Sequence, residues 1–271
     1  MLQLNNVSYR WPSSNINNIS DLSFNVQASE WVALVGDNGA GKSTLLRLLA
    51  GLLSPNQGDL LLHNQPLAQL TTPQRANQVG ILFQEAEKQI FHSTVKAEVA
   101  FGLKRKKLPK EVITERVQNA LEACHLTDVA DKHPLDLHAG QRRMVAVACL
   151  EAVSPSLILL DEPSRDFDAL WMQRFENWLD LQRIKGTTIV TISHDFDFVA
   201  RHFKRVLHLS HGKLIADGSP IEVLNHNALQ VESELPAPTL ISLSQTLALS
   251  TAPVTPKAWV KNFLHLDEIK K

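Results

Sequence analysis

A glycine-rich turn at residues 36–43 separates a short apolar run from a stretch of helix-forming residues. The run at 30–35 reads EWVALV, which is β-branched and too short for a helix, and residues 43–53 are rich in Leu, Arg and Ala. In this order of strand, glycine turn and helix, main-chain N–H groups and the helix N-terminus converge on one point and favour an anion there. The sequence therefore predicts a phosphate-binding loop.

The residues of this loop are expected to bind a nucleoside triphosphate. Lys42 should reach the β- and γ-phosphates, and Ser43 should ligate Mg²⁺. A chance match in a flexible turn is the alternative, and the strand and helix on either side argue against it. The predicted nucleotide ligands are Gly36, Asp37, Asn38, Gly39, Ala40, Gly41, Lys42, Ser43 and Thr44.

Two further runs, at residues 156–160 and 187–192, predict buried strands that are each followed by a polar turn. Strands that alternate with helices are typical of an α/β fold with a parallel sheet. The segment 86–153 differs, because 110–124 and 141–153 have helical patterns with no strong strand between them. We therefore predict an α/β core with a helical insertion at about 86–153.

Two adjacent carboxylates follow the strand predicted at 156–160. Asp161 is placed to hold Mg²⁺, directly or through water, and Glu162 to orient or deprotonate an attacking water. The structural alternative is an acidic strand end that begins a turn. The chain contains no Asn-Lys-x-Asp stretch, which argues against a GTPase. One acid for the metal and one for water indicate hydrolysis.

Four further segments follow the loop in the order of a known family. They are GILFQ at 80–84, LHAGQ at 137–141, SRDFD at 164–168 and TISHD at 191–195. With these motifs the chain resembles the ABC (ATP-binding cassette) ATPases over nearly its whole length. The resemblance implies a P-loop NTPase core of the RecA type, an antiparallel β-subdomain at the N-terminus, a helical subdomain, and ATP hydrolysis with Mg²⁺.

The resemblance also assigns roles to residues in these segments. It implies that Gln84 contacts Mg²⁺ or water, and that His194 hydrogen-bonds the γ-phosphate and helps to hold Glu162. Ser164 and Asp168 fall in the D-loop. The signature residues, which would face the γ-phosphate of an ATP bound to a second subunit, are Leu137, His138, Ala139, Gly140 and Gln141.

The signature departs from the family pattern Leu-Ser-Gly-Gly-Gln at two positions. His138 replaces the serine hydroxyl and Ala139 replaces a glycine, whereas Lys42, Glu162 and His194 are intact. Because ABC ATPases work as head-to-tail dimers, this defect would affect the nucleotide of the partner. The hypothesis is a heterodimer in which one composite site is slow, and a homodimer with impaired signatures is the alternative.

Within the family, residues 83–91, 94–95 and 98–102 resemble the ATPases of energy-coupling factor transporters, which bring vitamins or transition-metal ions into prokaryotic cells. Residues 235–239, LPAPT, resemble the C-terminal extension of that group. The implied division is an ABC domain at 1–231 and an extension at 232–271 that helps to hold two ATPases together. An apolar stripe that packs on its own domain is the alternative for the extension.

Helical spacing of apolar residues predicts two short helices in the extension. Thr255 and Pro256 are typical of an N-cap and first turn, and the helix that they begin would carry Trp259 and Phe263. The residues that predict the first helix are Leu240, Ile241, Leu243, Leu247 and Leu249.

An aromatic residue near the N-terminus is expected to stack on adenine, as the family resemblance implies. Trp11, or Tyr9 in its place, lies at that position, and either ring can stack on a base. The alternative is a core aromatic on an edge strand.

Charge and hydrophobicity limit the binding partners and the cellular location that are expected for this chain. A formal net charge of −1 gives no reason to expect nucleic acid. No apolar run reaches the ~20 residues of a bilayer crossing, so we expect the chain to stay where it is made. The family resemblance implies a peripheral protein on the cytoplasmic face of the membrane that acts with integral-membrane transporter subunits. Cys124 and Cys149 are expected to be free thiols.

The alternatives are an ATPase of another ABC importer or exporter, or a soluble ABC protein that acts on ribosomes or DNA. The latter generally carry two cassettes or a long coiled-coil insertion, and this chain has neither.

Overall fold

The computed structural model describes residues 1–224, 238–247 and 259–261. Within these ranges the chain forms ten strands and nine α-helices, and residues 259–261 are also helical. The strands are β1 Leu2–Tyr9, β2 Ile19–Val26, β3 Trp31–Val35, β4 Gln57–Leu62, β5 Gln65–Pro66, β6 Val79–Leu82, β7 Leu157–Asp161, β8 Thr188–Ile192, β9 Arg205–Ser210 and β10 Lys213–Gly218. The helices are α1 Lys42–Leu49, α2 Thr72–Gln78, α3 Val95–Arg105, α4 Lys110–Ala123, α5 Ala139–Val153, α6 Ala169–Lys185, α7 Phe196–His202, α8 Pro220–Val223 and α9 Thr239–Thr246.

The central sheet has six strands in the order β10-β9-β3-β8-β7-β6. Its strands are parallel except for β10, which pairs antiparallel with β9. Every residue of β3 and β8 is buried, as expected for apolar, β-branched strands covered on both faces. The predicted α/β core with a parallel sheet is confirmed.

A second sheet of four antiparallel strands, in the order β2-β1-β4-β5, is built from the first 66 residues. In β2, buried residues such as Leu22 and Phe24 alternate with exposed ones, as expected for a sheet with one solvated face. This sheet is the predicted antiparallel β-subdomain.

Between β6 and β7 the chain forms three α-helices, α3, α4 and α5, and no strand. Their facing sides bury Val99, Leu121, Met144 and Val147 in one apolar cluster with the central sheet. A helical insertion at about 86–153 agrees with this arrangement. The boundary predicted near residue 231 lies outside the described residues and remains a prediction.

The ends of three helices differ from the sequence-based expectation. Helix α1 ends at Leu49, not near residue 53, because Gly51 turns the chain with φ 67°. Helix α5 begins at Ala139, two residues before the expected start, because His138 caps it. Helix α4 ends at Ala123, one residue early, where Cys124 leaves the helical conformation with φ −100°.

The first helix expected in the extension is present as α9, with Ile241 buried and Leu243 and Leu247 exposed. Its first residue, Thr239, donates from its backbone N–H and its hydroxyl to the carboxylate of Asp197 in α7, over 2.8 and 2.6 Å. The positions Leu249, Thr255, Pro256 and Phe263 and the segment 232–237 lie outside the described residues.

Both cysteines are free, Cys124 being buried and Cys149 partly buried. Among the described residues, no helix combines the length and the apolar character that a bilayer crossing requires.

Candidate active site

All the predicted motifs except the signature contribute residues to one cavity of about 540 Å³ at the carboxyl ends of the parallel strands. This edge of a parallel sheet is where α/β proteins bind ligands, because loops from neighbouring strands meet there. The cavity is lined by Asn18, Asn38, Gly39, Gly41, Lys42, Ser43, Thr44, Gln84, Asp161, Glu162, Ser164, Arg165, Ile192 and His194.

The loop between β3 and α1 has a backbone that only glycine fits at two points. Gly36 has φ 145°, and a Cβ there would lie 2.1 Å from the carbonyl oxygen of Leu209. Gly41, the N-cap of α1, has φ 103°, and a Cβ there would lie 2.5 Å from the carbonyl oxygen of Asn18. The glycines therefore let the loop close tightly around the N-terminus of α1, as anion binding by backbone N–H groups requires.

Lys42 lies inside this loop and is only 7% exposed. Its Nζ donates to the carbonyl oxygens of Gly36, over 2.6 Å, and Asp37, over 2.9 Å. Burial lowers the pKa of Lys42, and the nearby carboxylates of Glu162, Asp37 and Asp161 oppose that effect. The acidic surroundings thus favour the charged form of Lys42 at the point where phosphates would enter.

Glu162 immediately follows β7 and has φ 49°, an unusual backbone conformation for a residue with a Cβ. Its N–H donates to the carbonyl oxygen of Ile192 in β8, over 2.9 Å, which holds it in place. Strained backbone of this kind persists where the surrounding structure over-determines it, and it is concentrated at functional sites.

His194 lies against Glu162 in the same cavity. The backbone N–H of His194 donates to Glu162 Oε2 over 3.1 Å, and its Nε2 lies 3.7 Å from Oε1. Burial raises the pKa of Glu162, while the His194 N–H and the charges of Lys42 and Arg143 oppose the rise. Burial also lowers the pKa of His194, which favours a neutral imidazole. A carboxylate with a raised pKa is suited to accept a proton from water.

Ser43, Gln84 and Asp161 line the cavity together and provide hydroxyl, amide and carboxylate oxygens. Burial raises the pKa of Asp161, with a further contribution from the charge of Glu162. No group of three or more His, Cys, Asp or Glu that could hold a metal occurs in the described part of the chain. The donor set therefore fits Mg²⁺, which is bound through one or two carboxylates together with substrate phosphates and water, and does not fit an all-protein metal cage.

The signature residues lie outside the cavity, at the N-terminus of α5. His138 and Ala139 are exposed, and Leu137 is buried. The His138 Nδ1 accepts a hydrogen bond of 3.3 Å from the backbone N–H of Gln141, so the imidazole caps the helix. The ring packs against Trp171, with centroids 5.4 Å apart. The helix end is thus ordered and open to solvent.

The remaining predicted residues separate into two groups. Ser164 of the D-loop lines the cavity, whereas Asp168 caps α6 by accepting from the N–H of Trp171 over 2.8 Å. Trp11 lies outside the cavity and contacts Tyr9 edge to face, with centroids 5.2 Å apart. A role for Trp11 in adenine stacking stays a prediction.

Two residues at the site were not identified from the sequence. Asn18 lines the cavity beside the loop, and its buried Oδ1 has no hydrogen-bond partner among the described residues. Arg143, 2% exposed, donates to backbone carbonyl oxygens behind the two carboxylates. An arginine directly before the apolar run 144–150 is a usable signal for Arg143, whereas a polar loop residue such as Asn18 gives none.

Comparison with known proteins agrees with this geometry. The profile of the ABC transporter family matches residues 19–165. The energy-coupling factor transporter ATP-binding protein EcfA1 of Streptococcus thermophilus is 34% identical over 249 residues, which cover 91% of this chain and 90% of that protein.

Two solved structures have the same fold. CbiO1 of Clostridium perfringens, part of the ABC transporter complex CbiONQ, has a TM-score of 0.76 and 28% identity, and covers 92% of this chain and 98% of its own. A dimeric ATP-binding cassette in a post-hydrolysis state with ADP and Pi has a TM-score of 0.73 and 27% identity, and covers 81% of this chain and 99% of its own. With more than half of its length matched by the family profile, and Lys42, Glu162 and His194 gathered in one cavity, this chain belongs to the ABC transporter family and is an ATP-binding cassette ATPase.

Proposed function

We propose that this chain is the ATP-hydrolysing subunit of an energy-coupling factor importer, which powers uptake of a vitamin or a transition-metal ion. The similarity to EcfA1 over 90% of that protein supports the importer type. The observation that carries the catalytic assignment is the contact of Glu162 with His194 beside Lys42. The chain would act at the cytoplasmic face of the membrane with integral-membrane subunits.

The residues of the cavity suit hydrolysis of ATP. The glycine loop and the N-terminus of α1 would bind the phosphates, with Lys42 at the β- and γ-phosphates. Bound through Ser43, Gln84 and Asp161, Mg²⁺ would neutralise charge on the phosphate oxygens. Glu162 would take a proton from water as the water oxygen bonds to the γ-phosphorus, and the bond between that phosphorus and the β,γ-bridging oxygen would break to release ADP. His194, held by its backbone N–H to Glu162, would hydrogen-bond the γ-phosphate.

An apolar surface formed largely by residues that follow Gln84 in the sequence supports a membrane partner. Phe91 is 79% exposed, and Phe101 is exposed at the edge of a groove of about 200 Å³ between the central sheet and the helical region. Exposed aromatic side chains that adjoin a groove are typical of a protein interface. The transmembrane subunits are the proposed occupants.

We further propose an asymmetric pair of cassettes. ATP on this phosphate loop would be hydrolysed against a standard signature of a second ATPase, and the site that uses residues 137–141 would be slow. The departures at His138 and Ala139 support this, since both are exposed at the helix end that a partner nucleotide would meet. The extension at 232–271 would help to hold the two ATPases together.

The alternatives are an ATPase of another ABC importer or exporter, and a soluble ABC ATPase. Purification of the native complex distinguishes them. A small integral-membrane scaffold together with an interchangeable substrate-binding membrane protein supports the energy-coupling factor type. A different set of membrane subunits supports another transporter, and no membrane subunit at all supports a soluble role.

The catalytic assignment is tested by Glu162→Gln in the purified complex. The amide cannot accept a proton from water, so we expect the ATPase rate to fall by about 100-fold or more while MgATP binding is retained. Glu115→Gln, an exposed change in α4, is the matched control. Near-normal hydrolysis by the Glu162→Gln complex would overturn the assignment.

A further inference from the structure

Arg143 lies in α5, three residues after Gly140 of the signature segment, and its side chain reaches the far side of the catalytic cavity. Its Nη2 donates to the carbonyl oxygen of Glu162 over 2.6 Å and to that of Asp161 over 3.3 Å. Its Nε donates to the carbonyl oxygen of Pro163, the residue directly before the D-loop, over 3.1 Å. One guanidinium thus holds three successive peptide units at the end of β7.

The same guanidinium also holds the segment that carries Gln84. Nη1 of Arg143 donates to the Gln84 carbonyl oxygen over 2.9 Å. A carboxylate oxygen of Asp166 is 3.9 Å from Nη1, and the ring of Phe167 lies 6.0 Å from the guanidinium carbon. Arg143 therefore donates to the backbone carbonyl oxygens of four residues in two separate segments.

Burying an arginine among carbonyls is costly unless every donor has a fixed role. The planar guanidinium presents its N–H groups in a rigid fork, so its partners must keep fixed relative positions. Here the partners carry the two carboxylates and the Gln84 segment, while the first turn of the same helix, directly before Arg143, carries the signature. The side chain is a short rigid connection between two functional segments.

We propose that Arg143 is a positioning residue that couples the signature segment of this chain to its own catalytic glutamate. A movement of α5 when a partner nucleotide meets residues 137–141 would shift the Arg143 fork and, with it, the peptide units of Asp161 and Glu162. The occupancy of one composite site would in this way set the rate at the other. The inference rests on the proposed function, because it assumes a second cassette over the signature.

The strained backbone of Glu162 makes such coupling effective. At φ 49° the residue is held by the Ile192 carbonyl on one side and by Arg143 on the other. A catalytic group misplaced by about 1 Å can cost roughly 100-fold in rate. A small displacement of the Arg143 fork is therefore enough to switch Glu162 between productive and unproductive positions.

The test compares Arg143→Gln and Arg143→Lys in the assembled complex. We expect kcat to fall by about 100-fold for Gln and about 10-fold for Lys, whose ammonium cannot make the four-way fork. Because the residues that line the cavity are unchanged, KM for ATP should stay within about twofold. Cooperativity in ATP concentration should fall toward a Hill coefficient of about one.

Arg201→Gln is the matched control, since it removes an equal charge from a surface ion pair with Glu176. It should leave kcat and cooperativity unchanged. Thermal unfolding and MgATP binding establish which variants are folded, and the lysine variant decides the question if the glutamine variant does not fold. Either folded variant with kcat and cooperativity within about twofold of wild type overturns the inference. A wild-type complex that fails to hydrolyse MgATP overturns the proposed function instead.

Discussion

The phosphate-loop side of the molecule and the signature side are built in different ways. Around Lys42 and Glu162, loops from neighbouring parallel strands enclose a cavity with buried charges and strained backbone. At residues 137–141 there is only a helix end, capped by His138 and open to solvent. The first site is largely preorganised within one chain, and the second needs a partner surface to become a site at all.

This difference implies that substitutions on the two sides should act on different properties. On the enclosed side, a change should alter nucleotide binding, chemistry and folding of the chain itself. On the open side, a change should mainly alter the function of the assembled pair and should affect the stability of the isolated chain less.

The largest contrast is expected for Lys42→Ala on the enclosed side. Lys42 is the only lysine among the described residues that line the cavity. In its absence we expect ATPase activity to fall by about 100-fold or more and ATP affinity to fall with it. Nucleotide titration and steady-state hydrolysis measure both. Lys213→Ala, an exposed change in β10, should alter neither. Unchanged ATP affinity in Lys42→Ala would contradict the assignment of the enclosed side as the nucleotide site.

The next largest effect is expected in the pH dependence of kcat/KM, through Glu162 on the enclosed side. Burial raises the pKa of Glu162, so its carboxylate is protonated at a higher pH than an ordinary glutamate. Since the protonated form cannot accept a proton from water, kcat/KM should fall as the pH falls through this raised pKa. A pH profile of kcat/KM measures the acid limb, and Glu162→Gln should lack it. An acid limb at or below the ordinary glutamate value of about 4.3 contradicts the prediction.

Replacing one glycine on each side by alanine should change the free energy of unfolding by different amounts. In Gly41→Ala the new Cβ would meet the Asn18 carbonyl oxygen at 2.5 Å with φ 103°, so the backbone must move, and the left-handed conformation alone costs about 1–2 kcal/mol. In Gly140→Ala the nearest atoms belong to the Trp171 ring at 3.0 Å, and a helix gains up to about 1 kcal/mol from alanine. Chemical denaturation of both variants should give a much larger loss for Gly41→Ala. The reverse order would contradict the assignment of the enclosed side as the rigid one.

The smallest effect is expected at His138. His138→Ala should cost about 1 kcal/mol of unfolding free energy because the cap on Gln141 is lost, whereas His138→Ser and His138→Asn keep a capping oxygen. In the assembled complex, His138→Ser should raise turnover by a few-fold if the imidazole slows this composite site, and His138→Asn controls for capping alone. Equal turnover for wild type, Ser and Asn would remove His138 as a cause of the asymmetry.

Local patterns in the sequence were sufficient for much of this site. The phosphate loop, the carboxylates after β7 and the histidine after β8 each follow an apolar strand, and parallel strands bring such positions to one edge of a sheet. Helix ends were less well predicted, because single residues decide them. Gly51 ends α1 early, and the imidazole of His138 starts α5 two residues before the expected position.

The sequence by itself determined the order of strand, glycine loop and helix, and with it the positions of Lys42 and Glu162, because these depend on contacts between near neighbours in the chain. The tertiary structure alone decided that Arg143 holds the carbonyl oxygens of Gln84 and Glu162, which are 59 and 19 residues away. Every residue has a backbone carbonyl, so a hydrogen bond to one does not depend on which side chain the partner carries. These hydrogen bonds of Arg143 can therefore be identified only from the position of α5 next to the end of β7.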